Sequence, residues 1–272
     1  MAIYWIGTTG DLTLVTNWVG GANPGGTDDV VVPASAAGGM SSNMAGLADT
    51  TGSWYIHPRY EHNIGSSGAP LQISAADGFI DHSPATIYFK DDGTTTTYVE
   101  ANKEGGTLYI DGDTVTDIYV VKGNVVIQSS IGNITSLTVG REANVTIEGN
   151  GNTLTTCYML GGNGRLKSGM AITTMHMNGG NFEQDNSNVA VTTLRQYGGT
   201  TKYNSTAALV TAFIYGGMLD LTDDAQAKTV TTLWQWPGAT VTEVGPDDGI
   251  SDVITTISNR RRLLSSAGTT AN

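Results

Sequence analysis

Leu154-Thr-Thr-Cys157, Ile172-Thr-Thr-Met175 and Val191-Thr-Thr-Leu194 are three copies of one pattern: an apolar residue, a threonine, a small residue and a second apolar residue. Five more copies lie on either side: Val115-Thr-Asp-Ile118, Ile134-Thr-Ser-Leu137, Val210-Thr-Ala-Phe213, Val230-Thr-Thr-Leu233 and Ile254-Thr-Thr-Ile257. Their first positions are 19, 20, 18, 19, 19, 20 and 24 residues apart, so one structural unit is stacked about every 19 residues. Gly-Gly or Gly-Asn turns such as Gly123-Asn124, Gly161-Gly162, Gly179-Gly180 and Gly198-Gly199 separate the copies, where glycine takes a positive φ without steric cost. Each unit is therefore strand, bend, strand, turn. The prediction is an all-β chain, a right-handed parallel β-helix with about 19 residues per rung and an irregular N-terminal cap.

Composition agrees with that reading and excludes several functions. Glycine supplies 36 of 272 residues, well above the usual ~7 %. Charged residues are only 14 % of the chain and the formal charge is −12, so the clustered Lys and Arg of a nucleic-acid footprint are missing. No apolar run approaches the ~18 residues of a membrane span, and the N-terminus lacks the basic and apolar regions of a secretion signal. The single cysteine, Cys157, falls on a repeat anchor, where it is expected as a small buried hydrophobe.

Three regions follow from the pattern. Residues 1–80 do not obey the repeat and carry Trp5, Trp18 and Trp54, as expected of a cap or attachment region that covers the first rung, with room for one or two irregular rungs of its own. Residues 81–257 form the β-helix, with Thr86-Ile-Tyr-Phe-Lys90 as its first rung. Residues 258–272 are a polar tail containing Arg260, Arg261 and Arg262, either a frayed terminus or a local positive patch suited to an acidic partner.

Period-two alternation sorts the rungs into columns. After the glycine turns, Leu108, Val125, Val145, Phe182 and Leu219 point inward, while Glu183, Lys202 and Asp220 point outward on successive rungs with alternating sign. That trio is a solvated charge ladder or, less in keeping with cross-strand pairing, an acidic active site. In the other strand Ile118, Leu137, Cys157, Met175, Leu194, Phe213 and Leu233 are expected inside. The matching outward column is Tyr119, Thr138, Tyr158, His176, Arg195, Ile214 and Trp234. Large amphipathic residues in one stripe form a partner-binding face or sugar-stacking platforms, unless they are isolated exposed aromatics.

Catalytic constellations do not emerge. His57, His62, His82 and His176 are scattered and match no zinc-ligand or hydrolase spacing. Acidic turns such as Asp91-Asp92-Gly93 and Asp111-Gly-Asp113 lack the twelve-residue calcium-loop pattern. No metal or cofactor is expected, and the chain is read as acting by binding.

Two stretches carry a resemblance. Tyr4-Trp5-Ile6-Gly7, Asn17-Trp18, Pro24 and Asp28-Asp29-Val-Val-Val resemble the opening of many bacterial and phage β-solenoid proteins. Tyr55-Ile-His-Pro-Arg-Tyr60, followed by Asn63-Ile-Gly-Ser-Ser-Gly-Ala-Pro-Leu71, is similar to a segment of tailed-phage virion proteins encoded near the major capsid protein. The resemblance covers roughly residues 1–75. It implies a capsid decoration or cement protein on the virion surface, a homotrimer whose partner is the major capsid protein. Trp5, Trp18, Tyr119, Tyr158, His176, Arg195, Trp234 and Arg260 to Arg262 are then the candidate contact residues. The alternative is a tail spike or fibre that binds or cleaves host-surface polysaccharide.

Overall fold

The computed structural model describes residues 1–47, 52–75, 77–92, 96–167, 169–185, 188–222 and 228–242. Parallel strands stack as a β-solenoid of about eight turns, about 19 residues apart. One ladder runs through β10 (Thr153–Met159), β12 (Ala171–Met177), β14 (Val191–Gln196), β16 (Leu209–Ile214) and β18 (Val230–Gln235). A second runs through β11 (Asn163–Leu166), β13 (Asn181–Gln184), β15 (Thr200–Tyr203), β17 (Met218–Asp220) and β19 (Thr240–Thr242). In the earlier rungs, β7 (Thr96–Gly112), β8 (Thr114–Ile127) and β9 (Asn133–Ile147) each pass through both ladders as one bent strand.

The glycine turns are set by the stacking. At Gly180 φ is +75°, and a Cβ there would stand 2.3 Å from the carbonyl oxygen of Gly162 on the preceding rung. Any side chain would meet both a left-handed backbone penalty and a backbone clash. Between these turns the inward columns fill the core: Ile118, Leu137, Cys157, Met175, Leu194, Ala212 and Leu233 are buried opposite one another. Burial pushes the Cys157 thiol up to about 12, so it is an inert core residue at neutral pH.

One rung differs from the expected register. Ala212 pairs Leu194 and Arg195 pairs Phe213, so Ala212 and Ile214 are buried and Phe213 faces outward. The unit is anchored on Leu209, opposite Val230, and Val210 is exposed. Gly216-Gly217 follows Gly198-Gly199 by 18 residues, and the turns, being the rigid part of the unit, decide the register.

The ladder does not begin at residue 81. Strands β1 (Ala2–Tyr4), β2 (Asp29–Val32), β3 (Trp54–Ile56) and β5 (Phe79–Asp81) continue it, aligning Ile3, Val30, Trp54 and Phe79 with Val99 and Ile118. Residues 1–80 therefore hold rungs of their own with long connecting loops, and Ile87–Asp91 is a strand of the second ladder, paired with Leu71–Ile73 and with β7.

Trp5 and Trp18 are not surface anchors. Both are fully buried, packed edge to face at 4.9 Å. The Trp5 indole N–H donates to the Gly38 carbonyl at 3.1 Å and that of Trp18 to Leu12 at 2.9 Å. Asn17 beside them accepts from the Thr8 N–H and hydroxyl at 2.9 and 2.7 Å and donates to Thr9 and to the Asp11 carbonyl. The Trp-x-Gly and Asn-Trp stretches thus stitch the first loops over the end of the core. The expectation that Trp5 and Trp18 touch a partner fails on their burial.

A buried ion pair sits where the two regions meet. The Lys103 ammonium contacts the Asp81 carboxylate and donates to the Ser83 carbonyl at 2.9 Å, and both charged side chains are wholly inaccessible to solvent. The other Asp81 oxygen accepts from the Ser83 N–H at 2.9 Å and its hydroxyl at 2.7 Å. Strand β7 leaves register here, with Asn102 opposite Lys122 and Thr107 opposite Asn124, and that bulge lets a lysine reach inward.

Candidate protein-docking face

The outward stripe exists as one continuous column. Glu100, Tyr119, Thr138, Tyr158, His176, Arg195, Phe213 and Trp234 are paired rung to rung along the first ladder. The five sequence-predicted members Tyr119, Tyr158, His176, Arg195 and Trp234 are thus brought together, with Phe213 in the place expected for Ile214. Arg260, Arg261 and Arg262 lie outside the described residues.

A second column, two residues further along each strand, went unrecognised in the sequence because it abuts the glycine turns. Leu160, Asn178, Tyr197, Tyr215 and Trp236 each donate a backbone N–H to the preceding rung, at Val139, Met159, Met177, Gln196 and Ile214. Tyr197 is the most exposed large side chain of the face, at 50 %. With Arg195, Phe213 and Trp234 beside them, Tyr197, Tyr215 and Trp236 give three consecutive rungs a broad aromatic surface. Nearer the N-terminus, Tyr119, Val121, Thr138 and Leu160 line a hollow of about 270 Å³. Gly140 also lines that hollow, and the stacking requires glycine there, since a Cβ would lie 2.4 Å from the Val121 carbonyl oxygen of the preceding rung.

The rings stack on one another along the solenoid axis. Tyr197 lies on Tyr215 at 4.8 Å and 5°, Tyr158 on His176 at 4.9 Å and 17°, and Phe213 parallels Trp234 at 6.4 Å and 10°. The Arg195 guanidinium covers the Phe213 face at 4.8 Å. Within these pairs the facing ring faces are turned to one another, so along them solvent meets largely ring edges, an apolar surface of the kind found in protein interfaces.

The face is also weakly charged for so acidic a chain. Burial and then the Arg195 cation hold the His176 imidazole below the ordinary histidine value of 6.5, so it is neutral at pH 7. Glu100, at the other end, is engaged by His82 at 2.7 Å and by the Tyr98 hydroxyl.

On the second ladder, Glu183, Lys202 and Asp220 do occupy successive rungs, with Lys202 3.4 Å from Glu183. Asp220 accepts from the Thr222 N–H and hydroxyl at 2.9 and 2.6 Å and from Thr242 at 3.2 Å. Glu183 thus pairs with Lys202 along the ladder, and Asp220 is held by the two threonines. Among the described residues no three His, Cys, Asp or Glu side chains form a metal-binding group, and no helix is long and apolar enough to cross a membrane.

Comparison with known proteins places the chain beside none of them: no family, no characterised protein and no solved structure matches it.

Proposed function

We propose that this chain is a structural binding protein that docks sideways, through the Tyr119 to Trp236 face, onto another protein surface. The observation that carries the reading is the pair of adjacent outward columns, aromatic and apolar, poor in carboxylates, on a chain of net charge −12. A rigid solenoid repeats its contacts at every rung, so many modest contacts add up to strong attachment. The N-terminal resemblance supports one such surface, the outer shell of a tailed-phage capsid, which the protein would decorate and stabilise. A trimeric state and the major capsid protein as partner come from the same resemblance. Binding rather than catalysis is the role.

The experiment is quantitative mass spectrometry of particles purified from the system that encodes the chain. The reading expects the protein in capsid fractions at a copy number in fixed ratio to the major capsid protein, and retained in tail-less particles. Its presence only in separated tails would replace the decoration reading by that of a spike.

A further inference from the structure

We infer that the docking face has a second anchor on the N-terminal cap, where Tyr4, Ile6 and Val19 seat an apolar, uncharged patch of the same partner protein. The inference rests on the docking reading and extends it to rungs that the Tyr119 to Trp236 face does not include.

The outward column does not end at Glu100. It continues rung to rung through Ile80, Tyr55 and Val31 to Tyr4, so eleven ladder pairings join Tyr4 to Trp234. At about 4.8 Å per pairing, the two ends stand about 50 Å apart. Val31, Tyr55 and Ile80 are half-buried, and Glu100 is the only carboxylate of the column.

At Tyr4 the column meets the cap. The Val19 N–H donates to the Tyr4 carbonyl at 2.9 Å, and Trp5 and Trp18 face each other across the same antiparallel bridge. Both indoles are buried, so alternation turns their neighbours Tyr4, Ile6 and Val19 outward. Val19 is 51 % exposed, matching Tyr197 near the other end of the face at 50 %. Among the described residues, six of the twelve exposed large hydrophobic side chains fall between Met1 and Val19, a concentration rather than a scatter. A free solenoid end needs a polar outer surface to stay soluble. This end has the opposite character, that of a surface covered in use.

The chemistry of the partner follows from the charge. From residue 1 to residue 27 the only charged side chain is Asp11, which accepts from the Thr13 N–H and hydroxyl and from Asn43, each at 2.8 Å. A partner charge set against this patch would lose its water and find no counter-charge, so the seat selects an uncharged apolar patch. No Lys or Arg stands in that segment to hold a lipid headgroup, and a second copy would bring together two chains of net charge −12.

Titration of capsids prepared without this chain, with the full-length parent and its variants, tests the second anchor. Tyr4→Ser/Val19→Ser should bind at least about tenfold more weakly, the loss of one interface anchor. Val19→Asp alone, which leaves β1 untouched, should weaken binding as much, because it puts a charge into an uncharged seat. Both side chains are exposed, so circular dichroism and unfolding midpoints should stay those of the parent. Parent-like binding of both cap variants, with binding lost in Tyr158→Ser/Tyr197→Ser, would overturn the second anchor and leave the docking reading standing. Parent-like binding of all three variants would remove the docking reading with it. Concentration-dependent self-association of the parent, abolished by Val19→Asp, would overturn the proposal in favour of a second copy. Retention on phosphatidylcholine vesicles, abolished by the same change, would overturn it in favour of a membrane.

Discussion

Replacing Lys103 by Met is expected to destabilise the protein by about 3–5 kcal/mol, the usual cost of stranding one member of a buried ion pair. The Asp81 carboxylate would remain wholly buried, keeping its hydrogen bonds from Ser83 but losing its counter-charge. Burial already pushes the Lys103 ammonium towards its neutral form, and the Asp81 charge opposes that push, so the pair persists only as a pair. Adding Asp81→Asn to Lys103→Met removes the stranded charge and should restore most of the loss. Denaturant midpoints of the two variants and the parent measure this. A Lys103→Met variant within about 1 kcal/mol of the parent would mean that water reaches the site and that the bulge in β7 is not held by the pair.

Trp18→Ala is the second large effect, about 3–5 kcal/mol for the local unit, as expected when a buried indole leaves a cavity. Trp18 packs against Trp5 and ties its N–H to Leu12, so its loss unpins the loops that Asn17 organises. The first rung would then expose its core cross-section and strand edge, and aggregation on mild heating should follow. Hydrogen exchange should rise in residues 1–40 well before it rises in β10 to β18. Uniform exchange along the whole chain would show that the end rungs are not a separate cooperative unit.

The repeat was legible because strand stacking forces one residue type to recur at one spacing: Leu154, Ile172 and Val191 mark it without help from the rest of the chain. The outward stripe followed from the same arithmetic at Tyr119, Tyr158, His176, Arg195 and Trp234. Among the described residues, register was misassigned only at Phe213, where Leu209 and Val210 compete for the anchor, and the distance between glycine pairs would have decided between them. The column of Tyr197, Tyr215 and Trp236 was hidden because residues next to a Gly-Gly turn look like loop until backbone hydrogen bonds place them on the sheet. Trp5 and Trp18 were misjudged for a different reason. Tryptophan outside a repeat is equally compatible with an exposed anchor and with a plug over an open end, and only packing distinguishes the two. The Asp81 and Lys103 pair had no sequence signal, since the two residues meet across adjacent rungs at a bulge that no periodicity marks.

The central claim is that the aromatic face makes the attachment. Capsids prepared without this chain, titrated with the parent protein and with a Tyr158→Ser/Tyr197→Ser double variant, test it most directly. Buried aromatic contacts of this kind typically cost about 2 kcal/mol or more each when truncated, so the double variant should bind about a thousandfold more weakly or worse. Both side chains point outward, so its unfolding midpoint should stay near that of the parent. Tyr109→Ser, on the second ladder where Tyr109 stacks on Tyr88, should bind like the parent. Parent-like affinity of the double variant, with binding lost instead in Tyr109→Ser, would contradict the account and move the attachment surface to the opposite ladder.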